Sequence, residues 1–421
     1  MIAQSRLHDF YVDHLRRQLL PFWEEAVDTE RGGIFTGFDN EGKRLLHRDK
    51  FTWSQGRFLW VWSRLGRLME KGILQGDSAA YKRQAAKTYH FLREYAFLPS
   101  GSCRFLLTEK GEPKEMTSGE GHDISFYADC FVIMGFAEYA ALTGCKEAYT
   151  YAVQALKNVE QRLKDGTARS EPYPVPPGHE VHGYAMILLN TVQSLYRVAD
   201  VLGESDEARL YRDKAICKAK EILRTFCDSQ GRIREVTAAG GLAGETKEPE
   251  TLLMRHINPG HGMESLWFVL TEAAAAPDEG MIAACAKAMK QTLRMGWDEK
   301  YGGLLRYIDL NGGQPRGIKL AGAERFEALI AETWDMKLWW PHSESLYACL
   351  LAYRVTKDEE FSHWYEKLHA YTFRVFPTER GREWIQIRTR SGMPVGKVVA
   401  LPVKDPYHVL RNVLLMIELT V

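Results

Sequence analysis

The chain has 421 residues, with 55 Lys+Arg against 55 Asp+Glu; 45% of it is hydrophobic, 11% is aromatic, and it holds 16 prolines. So much apolar and aromatic content can bury a large core and excludes intrinsic disorder. Zero formal charge provides no overall field for a polyanion, so neither nucleic acid nor a membrane surface is an expected partner.

Residues 1–10 include Arg6, His8 and Asp9 without an apolar run, and do not read as a secretory signal. Apolar residues then recur at helical spacing in twelve segments: 7–20, 53–71, 81–97, 124–143, 147–163, 184–202, 206–227, 261–276, 281–295, 342–355, 360–375 and 407–419. Short strand signals sit between them beside Gly turns, at Gly33-Ile34-Phe35 and at residues 302–307, and read as hairpins. The longest apolar stretches, 346–353 and 413–419, fall short of the roughly 20 residues that span a bilayer. A cytoplasmic protein is expected. Its seven cysteines are scattered without a C-x-x-C pair, which predicts reduced, mostly packed thiols rather than disulfides or a zinc site.

No linker divides the chain; the loop 170–179, with Pro172, Pro174, Pro176 and Pro177, is too short to be one. Twelve helices in 421 residues leave about 70 residues per helical hairpin, longer than the roughly 34 to 47 of tetratricopeptide or HEAT units. The expectation is an all-α single domain, residues 1–421, in which six hairpins close into an (α/α)6 barrel with short β-hairpins in its loops and a pocket at one end.

Three late segments begin alike: Asn258-Pro259-Gly260-His261, Trp339-Trp340-Pro341-His342 and Asp405-Pro406-Tyr407-His408. Pro suits the first helical position, where its missing N–H costs nothing. Each segment then places a His in the first turn, so a closed ring predicts three imidazoles converging on one rim. A helix N-terminus disfavours imidazolium, which predicts lowered pKa values and neutral general bases. Glu264 and Arg411 each follow a His by three residues and share its face; Glu344 follows His342 by two. Lys50, Trp53, Arg57 and Trp60 form a cationic, aromatic face of the kind that stacks sugars and holds an oxyanion. Trp339 and Trp340 read as core. His179-Glu180-Val181-His182 lacks metal-site spacing, and the glycine-rich 240–247 lacks the Walker order, so neither a metal nor a phosphate loop is expected.

These residues resemble the N-acylglucosamine 2-epimerase family. The resemblance is carried by KFTWSQGRFLWVWSRL (50–65), SFYADCFVIMGFAEYA (125–140), NPGHGMESLWFVL (258–270), MKLWWPHSESLYACLLAY (336–353) and YHVLR (407–411). It implies an (α/α)6 barrel that interconverts N-acetylglucosamine and N-acetylmannosamine at C2, with no required cofactor and with ATP or another nucleotide as an activator in several members. A homodimer is also implied. By position, Arg57 matches the family arginine that contacts the sugar, and His261 and His408 match its catalytic histidines. Glu344 and Arg411 match pocket residues; Glu264 and His342 are motif members. Two departures stand out: Leu410 replaces the usual Pro of the final motif, and Tyr184-Ala185-Met186 lacks the Pro of the epimerase pattern, with His182 close to but not aligned with the extra histidine of mannose isomerases and cellobiose 2-epimerases.

The implied chemistry removes the C2 proton of the open-chain sugar and returns one to the opposite face through an enediolate. His261 and His408 would be the two bases, Arg57 or Arg411 the stabiliser of charge on O1, and Glu344 with His342 the pair that opens the ring. An aldose–ketose isomerase, delivering the proton to C1, and a 2-epimerase of mannose or cellobiose remain alternatives on the same scaffold. A glycoside hydrolase would need two carboxylates across the bond, and a pure binding module would need neither histidine.

Overall fold

The computed structural model describes residues 4–244 and 247–421. Parts of the 1–10 stretch and of the 240–247 loop thus lie outside the described residues; Gly241–Gly244 forms one 3-10 turn.

All twelve helical segments form. We number them α1 (Gln4–His14, continuing through a π-turn at Leu15–Leu19 into Leu20–Glu25), α2 (Thr52–Glu70), α3 (Ser78–Tyr95), α4 (Phe126–Thr143), α5 (Lys146–Lys164), α6 (His182–Leu202), α7 (Ser205–Phe226), α8 (Pro259–Ala275), α9 (Glu279–Gly296), α10 (Trp339–Thr356), α11 (Glu359–Val375) and α12 (His408–Leu419). Even-numbered helices form an inner ring: each packs on the next, and α12 returns to α2. Odd-numbered helices lie outside, and α1 completes the last pair by packing on α12. The result is the (α/α)6 barrel expected. Two further helices, Leu252–Arg255 and Glu324–Thr333, lie in loops; the second is only ten residues long, too brief for its apolar spacing to stand out.

Burial follows position. Outer α5 shows an apolar stripe, with Ala148, Ala152, Leu156 and Val159 buried, whereas inner α4 is buried all round. A helix enclosed on every side is apolar on every side, and α4 is also long and apolar enough to cross a membrane, although most of it is buried here. Its two charges are both paired: Asp129 with Arg162 at 2.7 Å, and Glu138 with Arg67 at 2.6 Å. Glycine sets how closely α2 and α4 cross. A Cβ on Gly56 would lie 2.5 Å from the Phe131 carbonyl oxygen, and one on Gly135 would lie 2.5 Å from that of Gly56.

Short strands tie the loops at the N-terminal ends of the inner helices. Lys50–Phe51, just before α2, pairs with Leu106–Leu107; His179–Val181, before α6, with Val236–Ala238; His256–Ile257, before α8, with Ile308–Asp309; and Lys337–Leu338, before α10, with Ile387–Arg388. A single bridge, Ser125 to Ser170, does this before α4. Before α12 the Lys404 amide donates to the Thr36 carbonyl. The expected strands near residues 33–35 and 302–307 are instead single bridges, Val27 to Ile34 and Trp297 to Leu304, at the ends of outer helices. All seven cysteines are free thiols, and Cys103, Cys130, Cys285 and Cys349 are buried.

Candidate active site

The N-terminal ends of the inner helices surround a cavity of about 130 Å³ whose lining includes Trp53, Arg57, His261, Glu264, Trp340 and His408. A lobe of about 70 Å³ continues past His261 to Glu235 and Arg306. Tyr173 and Ala400, from the loops before α6 and α12, line both spaces.

His261 stands in the first turn of α8 because Asn258 caps that helix, its side chain accepting from the His261 amide at 3.2 Å. Asp405 does the same for α12, accepting from the His408 amide at 2.9 Å. Both imidazoles pack on one indole: the Trp340 ring centroid is 5.2 Å from that of His261 and 5.4 Å from that of His408. Gly260 admits that indole, since a Cβ there would lie 2.5 Å from the Trp340 ring. The two imidazole centroids can be no further apart than those two separations together.

Each imidazole turns Nδ1 to a carboxylate. His261 Nδ1 is 2.8 Å from Glu235, and His408 Nδ1 is 2.7 Å from Glu344. Charged carboxylates only accept hydrogen bonds, so each Nδ1 carries the proton and Nε2 is the nitrogen left for other partners. Burial alone would lower the His261 pKa, but the Glu235 charge and hydrogen bond override it and raise it above the ordinary value. The expected lowering by the helix N-terminus is therefore not what the structure gives at His261. A full carboxylate charge at hydrogen-bond distance outweighs the partial charge of a helix end.

Behind His408 lies a buried charge network. Arg411 donates to Glu264 and to Glu344, each at 2.5 Å, and Trp267 Nε1 donates to Glu344 at 2.9 Å. Burial would raise the Glu344 pKa; Arg411, His408 and Trp267 together hold it down at about 2. Glu264, Glu344 and His408 bring ligand atoms within 4.8 Å of one another, a spacing that could hold a metal ion. Arg411, whose pKa is pushed up by the two carboxylates against its burial, already places a permanent cation there.

Arg57 reaches the cavity from α2. It donates to Asp405 at 3.0 Å, and its guanidinium lies 4.0 Å from the centre of the Phe131 ring and 5.1 Å from that of Trp53. The rest of the expected cationic face divides. Trp60 packs on Tyr407 at 5.5 Å, and Lys50 is buried against Asp28 at 2.7 Å.

The structure thus gathers Trp53, Arg57, His261, Glu264, Glu344, His408 and Arg411 into one site and leaves His342 out. His342 is fully buried, accepting from the Leu304 amide on Nε2 at 2.9 Å and donating from Nδ1 to the Leu338 carbonyl at 2.6 Å. Its ring stacks on Tyr371 of outer α11, 5.2 Å away. Burial drives its pKa down to about 3. The expected pairing of Glu344 with His342 for ring opening is corrected accordingly: Glu344 faces His408 and Arg411, and both His342 nitrogens are spent on backbone. The shared Pro-His reading also needs correction. Pro259 is the first residue of α8, but α10 starts at Trp339, two residues before Pro341, and α12 starts at His408 itself. His342 is therefore turned out of the cavity that His261 and His408 share.

Sequence reasoning passed over four participants. Glu235 sits in a loop with no local pattern. Asp405 was visible next to Pro406 but not selected. His182 belongs to the His179–His182 run, yet it turns inward to Glu235 at 3.2 Å. Trp340, read as core, is half-buried and lines the cavity.

Among solved structures, the chain shares its fold with a cellobiose 2-epimerase from Bacillus thermoamylovorans B4167 (TM-score 0.76, 21% identity, covering 98% of this chain and 99% of that one). A D-mannose isomerase is similar in fold, with a TM-score of 0.71 and 19% identity, covering 98% of this chain and 97% of that one. Residues 33–412 match the family model for N-acylglucosamine 2-epimerase (GlcNAc 2-epimerase), and the chain belongs to that family of carbohydrate epimerases. It is 28% identical to the N-acylglucosamine 2-epimerase of Mus musculus over 412 residues, 94% of this chain and 87% of that protein.

Proposed function

We propose that this sugar 2-epimerase interconverts N-acetylglucosamine and N-acetylmannosamine by moving the C2 proton of the open-chain form through an enediolate. The observation that carries the reading is the pair of carboxylate-bound imidazoles on one indole. Inverting one carbon needs a proton donor and a proton acceptor on opposite faces, and a general acid or base of this kind contributes about 10² to 10⁴ in rate. Arg57 supplies a fixed positive charge for the oxygen that becomes anionic, held by Asp405 and aromatic rings rather than by mobile solvent. Glu264, Glu344 and Arg411 keep the His408 side rigid. The chemistry calls on no redox cofactor. The N-acyl reading is supported by the curated relative and by the family match. With it go activation by ATP and a homodimer, as the family resemblance implies, and a cytoplasmic location, as the charged stretch 1–10 suggests.

The test is incubation with N-acetylmannosamine, mannose, glucose and cellobiose in D2O, followed by NMR. Deuterium at C2 of both N-acetyl epimers, and in no other sugar, is the expected result. Label on C1 of a ketose would make the enzyme an isomerase, and label in cellobiose alone would move it to the other branch of the family.

A further inference from the structure

The two site histidines are not equivalent, and the difference lies in what stands behind them. Glu235 is buried and accepts from two imidazoles at once, His261 Nδ1 at 2.8 Å and His182 Nδ1 at 3.2 Å. No arginine or lysine is hydrogen-bonded to it among the described residues, so its negative charge must be met by one of those rings. His182 is fully enclosed, and its Nε2 lies 2.9 Å from the Ser265 hydroxyl. When Ser265 gives its one hydroxyl hydrogen to this nitrogen rather than to the more distant Gly262 carbonyl at 3.3 Å, both His182 nitrogens are satisfied in the neutral ring. His261, its side chain 29% exposed to the cavity, is the ring that can carry the charge with its Nε2–H facing substrate.

Around His408 the balance is reversed. Glu344 already receives Trp267 and Arg411, the latter shared with Glu264, so it does not depend on His408 alone and the state of that ring is read from its other nitrogen. Arg57 also stands 3.3 Å from His408 Nε2. A guanidinium has hydrogens only to give, so that contact requires a lone pair on Nε2, hence a neutral ring.

We propose that Glu235 is a positioning residue that makes His261 the resting acid, leaving His408 as the resting base. The enzyme then waits with one proton to give and one lone pair to receive it, and turnover in either direction exchanges those two states. The other groups facing His261 are Glu264 on its own helix, whose carboxylate is held by Arg411, Arg306 across the side lobe, and His256 before α8. Of these Arg306 opposes a positive His261, and Glu235 outweighs it.

The inference rests on the two-base reading above, but its test needs no substrate. Full-length protein labelled with 15N-histidine is titrated by NMR, with His261 and His408 assigned from His261→Asn and His408→Asn. In the wild type, His261 is expected to be imidazolium at neutral pH and His408 neutral with its proton on Nδ1. In Glu235→Gln the His261 proton affinity should fall by about tenfold or more, one pKa unit being a factor of ten. The alkaline limb of kcat/KM should move to lower pH by the same amount, and Glu235→Asp should restore part of the shift. A neutral His261 or a cationic His408 in the wild type overturns the assignment, and so does an unmoved His261 midpoint in Glu235→Gln. Should that variant fail to fold, the wild-type spectra alone decide. Loss of deuterium exchange at C2 with these charges intact would strike the epimerase reading and leave the charge assignment standing.

Discussion

The first turns of α8 and α10 look alike on paper and do opposite work. Both set a Pro one or two residues before a His and an acidic residue shortly after, yet His261 faces the cavity on a carboxylate while His342 is locked between two backbone groups and an outer helix. The difference is one of phase. In α8 Pro259 begins the helix and Asn258 caps it, whereas in α10 the helix is already under way at Trp339 with no side-chain cap. Successive residues turn by about 100° around a helix of 3.6 residues per turn, so a shift of one position carries a side chain from the inside of the ring to its wall.

The strongest way to break this comparison is kinetic. His261→Asn should lower kcat/KM by about 10² to 10⁴, while His342→Leu should leave kcat/KM per folded molecule almost unchanged; equal losses would put both rings at the chemistry. Urea unfolding sharpens it from the other side. His342→Leu leaves the buried Leu304 amide without its partner and takes one donor from the Leu338 carbonyl, a cost of about 1 to 3 kcal/mol for a group left unpaired, and His261→Asn should cost less.

Proton linkage gives a third handle. His342 is held near 3 in the fold against about 6.5 in an unfolded chain. The unfolded state therefore takes up a proton that the folded state refuses, and stability falls as pH drops from about 6.5 towards 3, by up to about 1.4 kcal/mol per unit for one proton. His342→Leu should remove that slope, with His14, His256 and His369, each depressed to about 4, supplying the slope that remains. The smallest effect is expected from Gly260→Ala. Its methyl would press on Trp340, and a few-fold rise in KM without loss of the fold would show that the indole positions sugar.

The ring itself was legible because burial is written into pairs such as α4 and α5: apolar all round inside, striped outside. Arg57, His408 and Arg411 were legible too, since each lies in a short run of unusual residues. Phase was not, because it depends on which residue caps a helix. Glu235 was beyond reach for another reason. It meets His182 and His261 through a strand register, Val181 opposite Val236, that links positions more than fifty apart in the chain. No local spacing records such a pairing.

The helix turns at the far end of the barrel contribute none of the groups named in the site. Gly144 and Gly203 close α4 and α6 there in left-handed conformation, each with room beyond its Cα, while the strand pairs that tie neighbouring units sit at the opposite mouth. Catalysis and chain reversal are thereby assigned to different faces. Extra residues spliced into the Gly144 or Gly203 turns should ride outside the working geometry, which makes those two points natural places to graft a tag, a tether or another protein.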